Sequence, residues 1–353
     1  MEMTVETGER EYGKMKAAVF QGKGKINVEE RPIPALRDNE ILLRVAACGV
    51  CGTDVHIFGG EKGSAEVHPP VVLGHEFAGT VVSVGKAVSG WKAGDKAAVD
   101  PNIYCGKCKM CHGGKKNLCE DLEAVGVTRD GGFAEYCVVP EAQCHRLEED
   151  IDLVCGAMAE PLSCCLHGIE MAAIRQGDNV CIIGGGAIGL IMLQLARLAG
   201  AGTVCVSEPV EMRRKVAVEL GADYVINPLE ETPGEAYRQK VGADADVVLE
   251  CAGVKAAVEQ VFTVAGKGAR IVFFSVPSPD RTVELPLFSL YQKEWHICGS
   301  FINPDTFARA VALINHHKIV FDKMITHTYP VAELEQAILT QAGRESLKVV
   351  VKA

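Results

Sequence analysis

Residues 180–189, Val-Cys-Ile-Ile-Gly-Gly-Gly-Ala-Ile-Gly, decide the fold of this chain. Four consecutive apolar residues predict a short buried strand, and the apolar run 187–198 predicts the helix that follows. The glycines fit the pattern Gly-x-Gly-x-x-Gly, which permits a tight turn, a close pyrophosphate and close packing of helix on strand. The candidate cofactor contacts in this loop are Gly184, Gly186, Ala187, Ile188 and Gly189.

Strands and helices alternate on both sides of that loop. We predict strands at 180–183, 204–207, 224–226, 247–250 and 269–274, and helices at 162–174, 187–198 and 212–220. This rhythm predicts a parallel sheet with helices on both faces. The two ends of the chain have a different texture, with predicted strands at 16–20, 41–46, 80–84 and 346–351 and a helix at 306–315.

We therefore expect an α/β protein with one domain inserted into another. Residues 165–303 are predicted to form a doubly wound, Rossmann-type domain. Residues 15–164 and 304–353 are predicted to form a β-rich domain, and residues 1–14 a flexible extension. A Gly-rich turn in an unliganded α/β domain is the alternative to a nucleotide loop.

An acidic residue ends the second predicted strand of the inserted domain. Glu208 follows Gly189 by nineteen residues, so its carboxylate can accept hydrogen bonds from both ribose hydroxyls of an adenosine. The same carboxylate repels a 2′-phosphate, which favours NAD over NADP. Arg213, a further candidate cofactor contact, and Arg214 follow closely and can partly offset that repulsion.

Four cysteines between residues 103 and 121 have the spacing of a metal site: Cys105, Cys108, Cys111 and Cys119. Four thiolates in a loop rich in glycine and lysine are typical of a closed tetrahedral zinc site, which supports structure and does no chemistry. An iron–sulfur cluster is the alternative. In the two-cluster ferredoxin run three residues precede the last cysteine and proline follows it, whereas here seven precede Cys119 and Glu120 follows it. The neighbouring His112 is not needed as a ligand.

A second set of candidate ligands is spread through the first half of the chain: Cys51, His75, Glu76 and Glu160. Their spacing alone does not identify a site, because each residue type in isolation is more often structural.

Several motifs together resemble the zinc-dependent medium-chain dehydrogenases from residue 15 onward. They are Gly74-His-Glu with Gly79 and Gly85, Gly94-Asp95, the four-cysteine lobe and the loop 184–189. Within that family, residues 159–167, Ala-Glu-Pro-Leu-Ser-Cys-Cys-Leu-His, resemble the polyol branch of sorbitol, butanediol and polyol-phosphate dehydrogenases. The resemblance implies a GroES-like catalytic domain, an inserted Rossmann domain and a homodimer or homotetramer.

The resemblance also implies a catalytic zinc. It makes Cys51, His75 and Glu76 direct ligands, and Glu160 either a direct ligand or one bridged through water. Two anionic ligands and a neutral histidine leave Zn²⁺ nominally neutral, which preserves its acidity. Because all four at once would leave a charge of −1, exchange among them is expected. Cys164 and Cys165 are rival ligands.

The expected reaction is hydride transfer from a secondary carbinol to a nicotinamide. Zinc lowers the pKa of the hydroxyl, and the proton leaves through Thr53 and His56, where the family has a relay hydroxyl and a relay histidine. Without the resemblance, Thr53 would be interpreted as a turn residue and His56 as a surface residue.

The substrate is less defined. Ile302 stands where sorbitol dehydrogenases carry a substrate-binding arginine, although Asn303 can hydrogen-bond a hydroxyl. The alternatives are threonine, a sugar acid, a polyol phosphate or a vicinal diol, and a catalytically silent dinucleotide-binding protein.

Composition excludes other classes. The chain has 353 residues, 48% of them hydrophobic and 23% charged, and a formal net charge of −10. This acidity argues against binding to nucleic acid or an anionic membrane. We expect no signal peptide and no membrane span. Fifteen cysteines without an export signal predict metal ligands and buried thiols in a cytoplasmic protein.

Overall fold

The computed structural model describes residues 13–61, 63, 65–278 and 280–353. The extension predicted at 1–14 lies outside these residues up to residue 12, and the first strand already includes Lys14. Within the described residues the strands are β1 (Lys14–Gly22), β2 (Lys25–Pro32), β3 (Glu40–Gly49), β4 (Val71–Val72), β5 (Glu76–Val84), β6 (Lys96–Val99), β7 (Asn102–Ile103), β8 (Glu123–Ala124), β9 (Tyr136–Pro140), β10 (Cys144–Leu147), β11 (Asn179–Ile183), β12 (Thr203–Ser207), β13 (Tyr224–Ile226), β14 (Ala245–Glu250), β15 (Ala265–Phe273), β16 (His296–Gly299), β17 (Ile325–Pro330) and β18 (Lys348–Lys352). The helices are α1 (Gly52–Phe58), α2 (Lys109–His112), α3 (Leu153–Ala157), α4 (Ala159–Ala172), α5 (Ala187–Leu198), α6 (Glu211–Glu219), α7 (Pro233–Val241), α8 (Lys255–Val264), α9 (Leu287–Lys293), α10 (Phe307–Asn315) and α11 (Leu334–Ala342).

The middle of the chain forms a six-stranded parallel sheet in the order β13-β12-β11-β14-β15-β16. The central strands β11, β12 and β14 consist of short apolar runs that are mostly buried, as a parallel sheet covered by helices requires. The strand order reverses between β11 and β14, and ligands of such sheets bind in the crevice at that point. The predicted Rossmann-type architecture is confirmed.

A second sheet uses both ends of the chain. Its strands follow the order β10-β6-β5-β3-β18-β17, with β9 also paired to β3, and a separate small sheet has the order β2-β1-β4. β18 runs antiparallel to β3, with Val350 opposite Gly49. The inserted organisation expected from the sequence is therefore present.

Helix α4 connects the two sheets. Leu162 and Cys165 on this helix belong to one buried cluster with Ala78 of the second sheet and Val180 of the parallel sheet. The expected boundary at 164/165 falls inside this continuous helix.

Two further findings concern the described chain as a whole. None of its helices combines the length and the apolar character needed to cross a bilayer. All fifteen cysteines, every one of which is described, are free thiols.

Candidate active site

The described residues bring Cys51, His75 and Glu76 together. Cys51 caps the N-terminus of α1, His75 directly precedes β5, and Glu76 begins that strand. The left-handed turn at Gly74 (φ +96°) leads into this pair. One ligand atom from each of the three side chains lies within 4.8 Å of the others. A thiol, an imidazole and a carboxylate at this spacing can hold a zinc ion and leave a position open for another ligand.

Asp54 supports this cluster from behind. It is fully buried, its Oδ2 accepts a 2.8 Å hydrogen bond from the backbone N–H of Cys51, and its Oδ1 lies 3.7 Å from Nδ1 of His75. Burial lowers the pKa of His75, but the nearby charges of Asp54 and Cys51 raise it well above its ordinary value. At 3.7 Å the contact between Asp54 and His75 is electrostatic and is not a hydrogen bond.

Glu76 has a cationic partner. Lys348 of β18 forms an ion pair with its carboxylate, and Lys348 Nζ donates a 2.9 Å hydrogen bond to the carbonyl of Val50. Gly49 makes room for the pair, because a Cβ there would lie 2.2 Å from Oε2 of Glu76. The lysine compensates a buried negative charge that would otherwise be costly.

Glu160 lies beside this cluster, in the first turn of α4. Its Oε1 accepts a 3.3 Å hydrogen bond from the thiol of Cys164, one helical turn further on. Burial raises the pKa of Glu160 to about 7, with the charge of Glu76 adding to the effect and that of His75 opposing it. The carboxylate of Glu160 therefore interacts electrostatically with Glu76 and His75, and it accepts a hydrogen bond from Cys164.

The two predicted relay residues share a helix. Thr53 and His56 lie three positions apart on α1, which is the spacing of neighbours on one helix face. His56 Nδ1 lies 2.8 Å from Oε2 of the exposed Glu61. The side chain of His56 is 30% exposed, and Thr53 lies two residues after Cys51.

The four cysteines predicted to form a zinc lobe lie close together. The sulfurs of Cys105, Cys108, Cys111 and Cys119 all lie within 4.8 Å of one another. Backbone N–H groups of Glu120 and Cys111 lower the pKa of Cys108 to about 6 by hydrogen bonding to its sulfur. Such donors favour thiolates, so the donor set fits a closed tetrahedral zinc site.

The glycine loop follows β11. Gly184 has φ +104°, and a Cβ on Gly189 would lie 1.8 Å from the carbonyl oxygen of Gly184, so both positions require glycine. A Cβ on Gly186 would meet nothing within 4 Å. The half-buried Gly186, Ala187 and Ile188 thus border open space at the N-terminus of α5, as a pyrophosphate site requires.

Glu208 is fixed at the end of β12. It is buried, Oε2 accepts a 2.7 Å hydrogen bond from Gly185 N–H, and Oε1 accepts one of 2.9 Å from Val210 N–H. Each oxygen keeps a further lone pair for a ribose hydroxyl. Arg213, by contrast, donates to the carbonyl of Ser346 at 2.8 Å and so ties α6 to the segment before β18.

Asn303 does not serve as expected. It is fully buried, its Nδ2 donates to Ser163 Oγ at 2.8 Å and to Asp100 at 3.2 Å, and its Oδ1 accepts from Asn102 at 2.6 Å. Its amide is engaged inside the protein, which corrects the expectation that it binds a substrate hydroxyl.

Comparison with known proteins agrees with this geometry. Residues 37–149 match the family described as alcohol dehydrogenase GroES-like domain, and residues 187–316 match zinc-binding dehydrogenase. A sorbitol dehydrogenase of Bombyx mori is 32% identical over 95% of this chain and 97% of its own length. This chain belongs to the zinc-binding dehydrogenases. It is a zinc-dependent, NAD(P)-linked oxidoreductase of the alcohol and polyol dehydrogenase type.

Two other similar proteins are informative. A crystal structure from Sinorhizobium meliloti 1021, assigned to this family and bound to NADP, is 41% identical with a TM-score of 0.93, over 97% of this chain and 100% of that one. An L-threonine 3-dehydrogenase of Symbiobacterium thermophilum is 39% identical over 74% of each chain.

Sequence reasoning missed two of the supporting residues, Asp54 and Lys348. Asp54 had a local signal, because it lies three residues after the helix cap Cys51, where a side chain can bond back to the cap. The sequence signal for Lys348 was weak, because it consists only of a charged residue next to an apolar run in the last strand. Its partner Glu76 lies too far away in sequence for any local pattern to connect them.

Proposed function

We propose that this zinc-binding dehydrogenase oxidises a secondary hydroxyl of a polyol or sugar alcohol with NAD, giving a ketose or ketone. The observation that carries the proposal is the cluster of Cys51, His75 and Glu76, whose ligand atoms lie within 4.8 Å of one another. Glu160 beside that cluster, in place of a further cysteine ligand, favours the polyol branch.

Cys51, His75 and Glu76 would hold the catalytic zinc, and Glu160 would remain beside them. Zinc there supplies a Lewis acid that makes a substrate hydroxyl easier to ionise. Asp54 would interact electrostatically with His75, and Lys348 would restrain Glu76. The thiol of Cys164 would restrain Glu160. The carboxylates of Glu76 and Glu160 thus have different interaction partners.

Thr53 and His56 would remove the proton that the hydroxyl loses. A threonine hydroxyl can accept and donate in the same exchange. The imidazole of His56 can pass the proton on, since its two ring nitrogens can accept and donate in turn. Its Nδ1 contact with Glu61 directs that transfer outward.

The loop of Gly184, Gly186 and Gly189 would hold the dinucleotide, which supplies the hydride acceptor. The backbone donors at the start of α5 suit the pyrophosphate. Glu208 suits an unsubstituted ribose, which supports NAD as the preferred cofactor. Arg213 already contacts Ser346 and is less free to bind a 2′-phosphate.

A polyol is the substrate class that the relatives favour. Sorbitol dehydrogenase of Bombyx mori matches nearly the whole chain. The L-threonine 3-dehydrogenase, at 39% identity, makes threonine the second candidate. A polyol and threonine each carry a secondary hydroxyl, so the same metal cluster and relay residues would act on either substrate.

Residues 15–164 with 304–353 would form the catalytic domain and 165–303 the nucleotide domain, with α4 crossing between them. We expect two or four copies in the assembly. Among the described residues no strand pairs with the outer edge of β16, and Phe288 and Tyr291 on the neighbouring α9 are 72% and 82% exposed. A second copy could extend the sheet there. Fifteen free thiols support a cytoplasmic location.

The test measures nicotinamide reduction by zinc-replete protein with NAD and with NADP. The panel contains free polyols, polyol phosphates, vicinal diols, sugar acids and threonine. The proposal expects the highest kcat/KM with a polyol and NAD. Turnover of threonine alone would replace the substrate class, and turnover with NADP alone would overturn the cofactor preference.

A further inference from the structure

Glu250 is a fully buried carboxylate that connects two loops of the parallel sheet. It is the last residue of β14. Its Oε1 accepts hydrogen bonds from the backbone N–H groups of Ala252 at 2.8 Å and Gly253 at 2.7 Å. Its Oε2 accepts one from the hydroxyl of Ser275, which lies two residues after β15. The side chain of Glu250 therefore fixes the segment after β14 to the segment after β15.

The segment after β14 also lies against the glycine loop. The backbone N–H of Cys251 donates a 2.8 Å hydrogen bond to the carbonyl of Ile183, the last residue of β11. A Cβ on Gly184 would lie 3.0 Å from the Cβ of Ala252. The loops that follow β11 and β14 are thus in direct contact, and a shift of one would disturb the other.

The position of these loops in the sheet indicates which part of a dinucleotide they face. A Rossmann-type sheet binds one mononucleotide in each half, outside the carboxyl ends of its strands and across the point where the strand order reverses. Glu208, at the end of β12, marks the half that suits the adenosine ribose. β14 and β15 lie on the other side of β11. The loops that Glu250 connects therefore border the half left for the nicotinamide.

We propose that Glu250 is a positioning residue for the nicotinamide end of the cofactor. It is itself inaccessible, whereas Ala252 is exposed and Ser275 is half-buried. Glu250 thus acts through the two loops and does not touch the cofactor. The inference rests on the proposed dinucleotide site and is independent of which alcohol is the substrate. Removing the carboxylate frees two backbone donors and one hydroxyl at once, so that both loops can shift.

The experiment compares the affinities of Glu250→Met for NADH and for ADP-ribose, which lacks the nicotinamide. Methionine fills a similar space but is only a weak acceptor. We expect NADH to bind at least about tenfold more weakly and ADP-ribose to bind within about twofold of wild type. The fluorescence of bound NADH, which reports the surroundings of the nicotinamide, should shift toward that of free NADH. A turnover loss of up to about 100-fold is expected, because misplacement of a reacting group is costly.

Two further variants test the hydrogen bonds themselves. Glu250→Gln can keep all three, since its amide oxygen can accept from the two backbone N–H groups and its nitrogen can donate to Ser275, so it should retain most of the NADH affinity. Ser275→Ala removes only the link between the two loops. It should weaken NADH binding about 2- to 10-fold and leave ADP-ribose binding unchanged. This variant decides the question if Glu250→Met does not fold.

Asp178→Leu is the matched control. Asp178 also fixes a turn of the same sheet, because its Oδ2 accepts hydrogen bonds from the backbone N–H of Arg175 at 2.6 Å and from Arg270 at 2.5 Å. It lies just before β11, at the opposite edge from the crevice. The control should lose stability and keep the wild-type ratio of the two affinities.

Two results would overturn the inference alone. One is unchanged NADH affinity in both Glu250→Met and Ser275→Ala. The other is an equal loss of affinity for NADH and ADP-ribose, which would indicate general damage to the sheet. A wild type that binds neither ligand would overturn the proposed dinucleotide site as well.

Discussion

Lys348 and Glu76 form an ion pair in the protein interior, with side chains only 5% and 1% exposed, although they come from opposite ends of the chain. The charge of Glu76 raises the pKa of Lys348, although burial acts against it. The lysine is therefore charged at neutral pH, and the carboxylate next to Cys51 and His75 has a fixed partner.

Replacing Lys348 should disrupt both stability and metal binding. Lys348→Met leaves Glu76 buried without a countercharge, and loss of one partner of a buried pair costs about 3–5 kcal/mol. We expect this loss in denaturant unfolding, with less zinc bound per chain. Lys348→Arg is the control, because it keeps the charge and should retain most of the stability. Equal unfolding midpoints for Lys348→Met and wild type would contradict the assignment.

Cys51→Ser should abolish zinc-dependent turnover and leave NAD binding intact. It removes a thiolate from the candidate catalytic site, and metal assistance is worth several kcal/mol, so turnover should fall more than about 100-fold. Zinc content should drop from two to about one per chain, held by the four-cysteine lobe. NAD affinity, measured by calorimetry, should be unchanged. Retained turnover would refute the zinc mechanism.

Two glycines of one loop should respond in opposite ways to alanine. A Cβ at Gly189 would lie 1.8 Å from a backbone oxygen, so Gly189→Ala should destabilise the fold by more than about 2 kcal/mol. A Cβ at Gly186 would meet open space, so Gly186→Ala should fold normally and bind NAD at least about tenfold more weakly, because the methyl occupies the pyrophosphate site. Thermal melting without cofactor and NAD titration measure the two effects. Unchanged NAD affinity in Gly186→Ala would remove the loop from the site.

Glu208 should control the choice between the two nicotinamide dinucleotides. Glu208→Gln removes the charge and keeps an oxygen that can accept from the Gly185 amide. We expect the ratio of kcat/KM with NADP to that with NAD to rise more than about tenfold, because repulsion of the 2′-phosphate is gone. An unchanged ratio would show that another residue sets the preference.

Asp100 should make stability depend on pH. Burial raises its pKa from 3.8 to about 6, with hydrogen bonds from Asn102 and Asn303 opposing the effect. The unfolded chain releases the proton at lower pH than the folded protein does, so this group's contribution to stability falls as pH rises from about 4 to 6.

Asp100→Asn should remove that dependence. Relative to wild type, the variant should gain up to about 3 kcal/mol between pH 4 and pH 7, in proportion to the shift of the pKa. Urea unfolding of both proteins at several pH values measures the difference. Curves that stay parallel at all pH values would contradict a buried, readily protonated carboxyl at this position.

Much of this architecture could be predicted because its signals are local. The strand 180–183, the glycines and the helix after them form one continuous pattern, and α5 begins and ends at the predicted residues. The four-cysteine lobe is equally local. The residues of the catalytic cluster could be nominated only through resemblance to a family, since the chain brings them from separate elements.

The rest depends on contacts between distant segments. Asn303 was expected at the substrate, but packing between α4 and β7 encloses its amide. Arg213, a candidate cofactor contact, donates a hydrogen bond to the carbonyl of Ser346, a contact that no local pattern predicts. Long polar side chains reach whichever partner the tertiary fold offers, and no periodicity in the sequence encodes that choice.

The pairing of β18 with β3 determines when the second sheet can be completed as the chain is synthesised. β3 and the residues around Cys51 leave the ribosome early, but Val50 receives its bond from Lys348, 298 residues later. The inserted parallel sheet is complete by residue 299 and can fold while the rest is still being translated. The ion pair that restrains Glu76 can therefore form only after residue 348 has been synthesised, whereas the four cysteines of the lobe are together in the chain by residue 119.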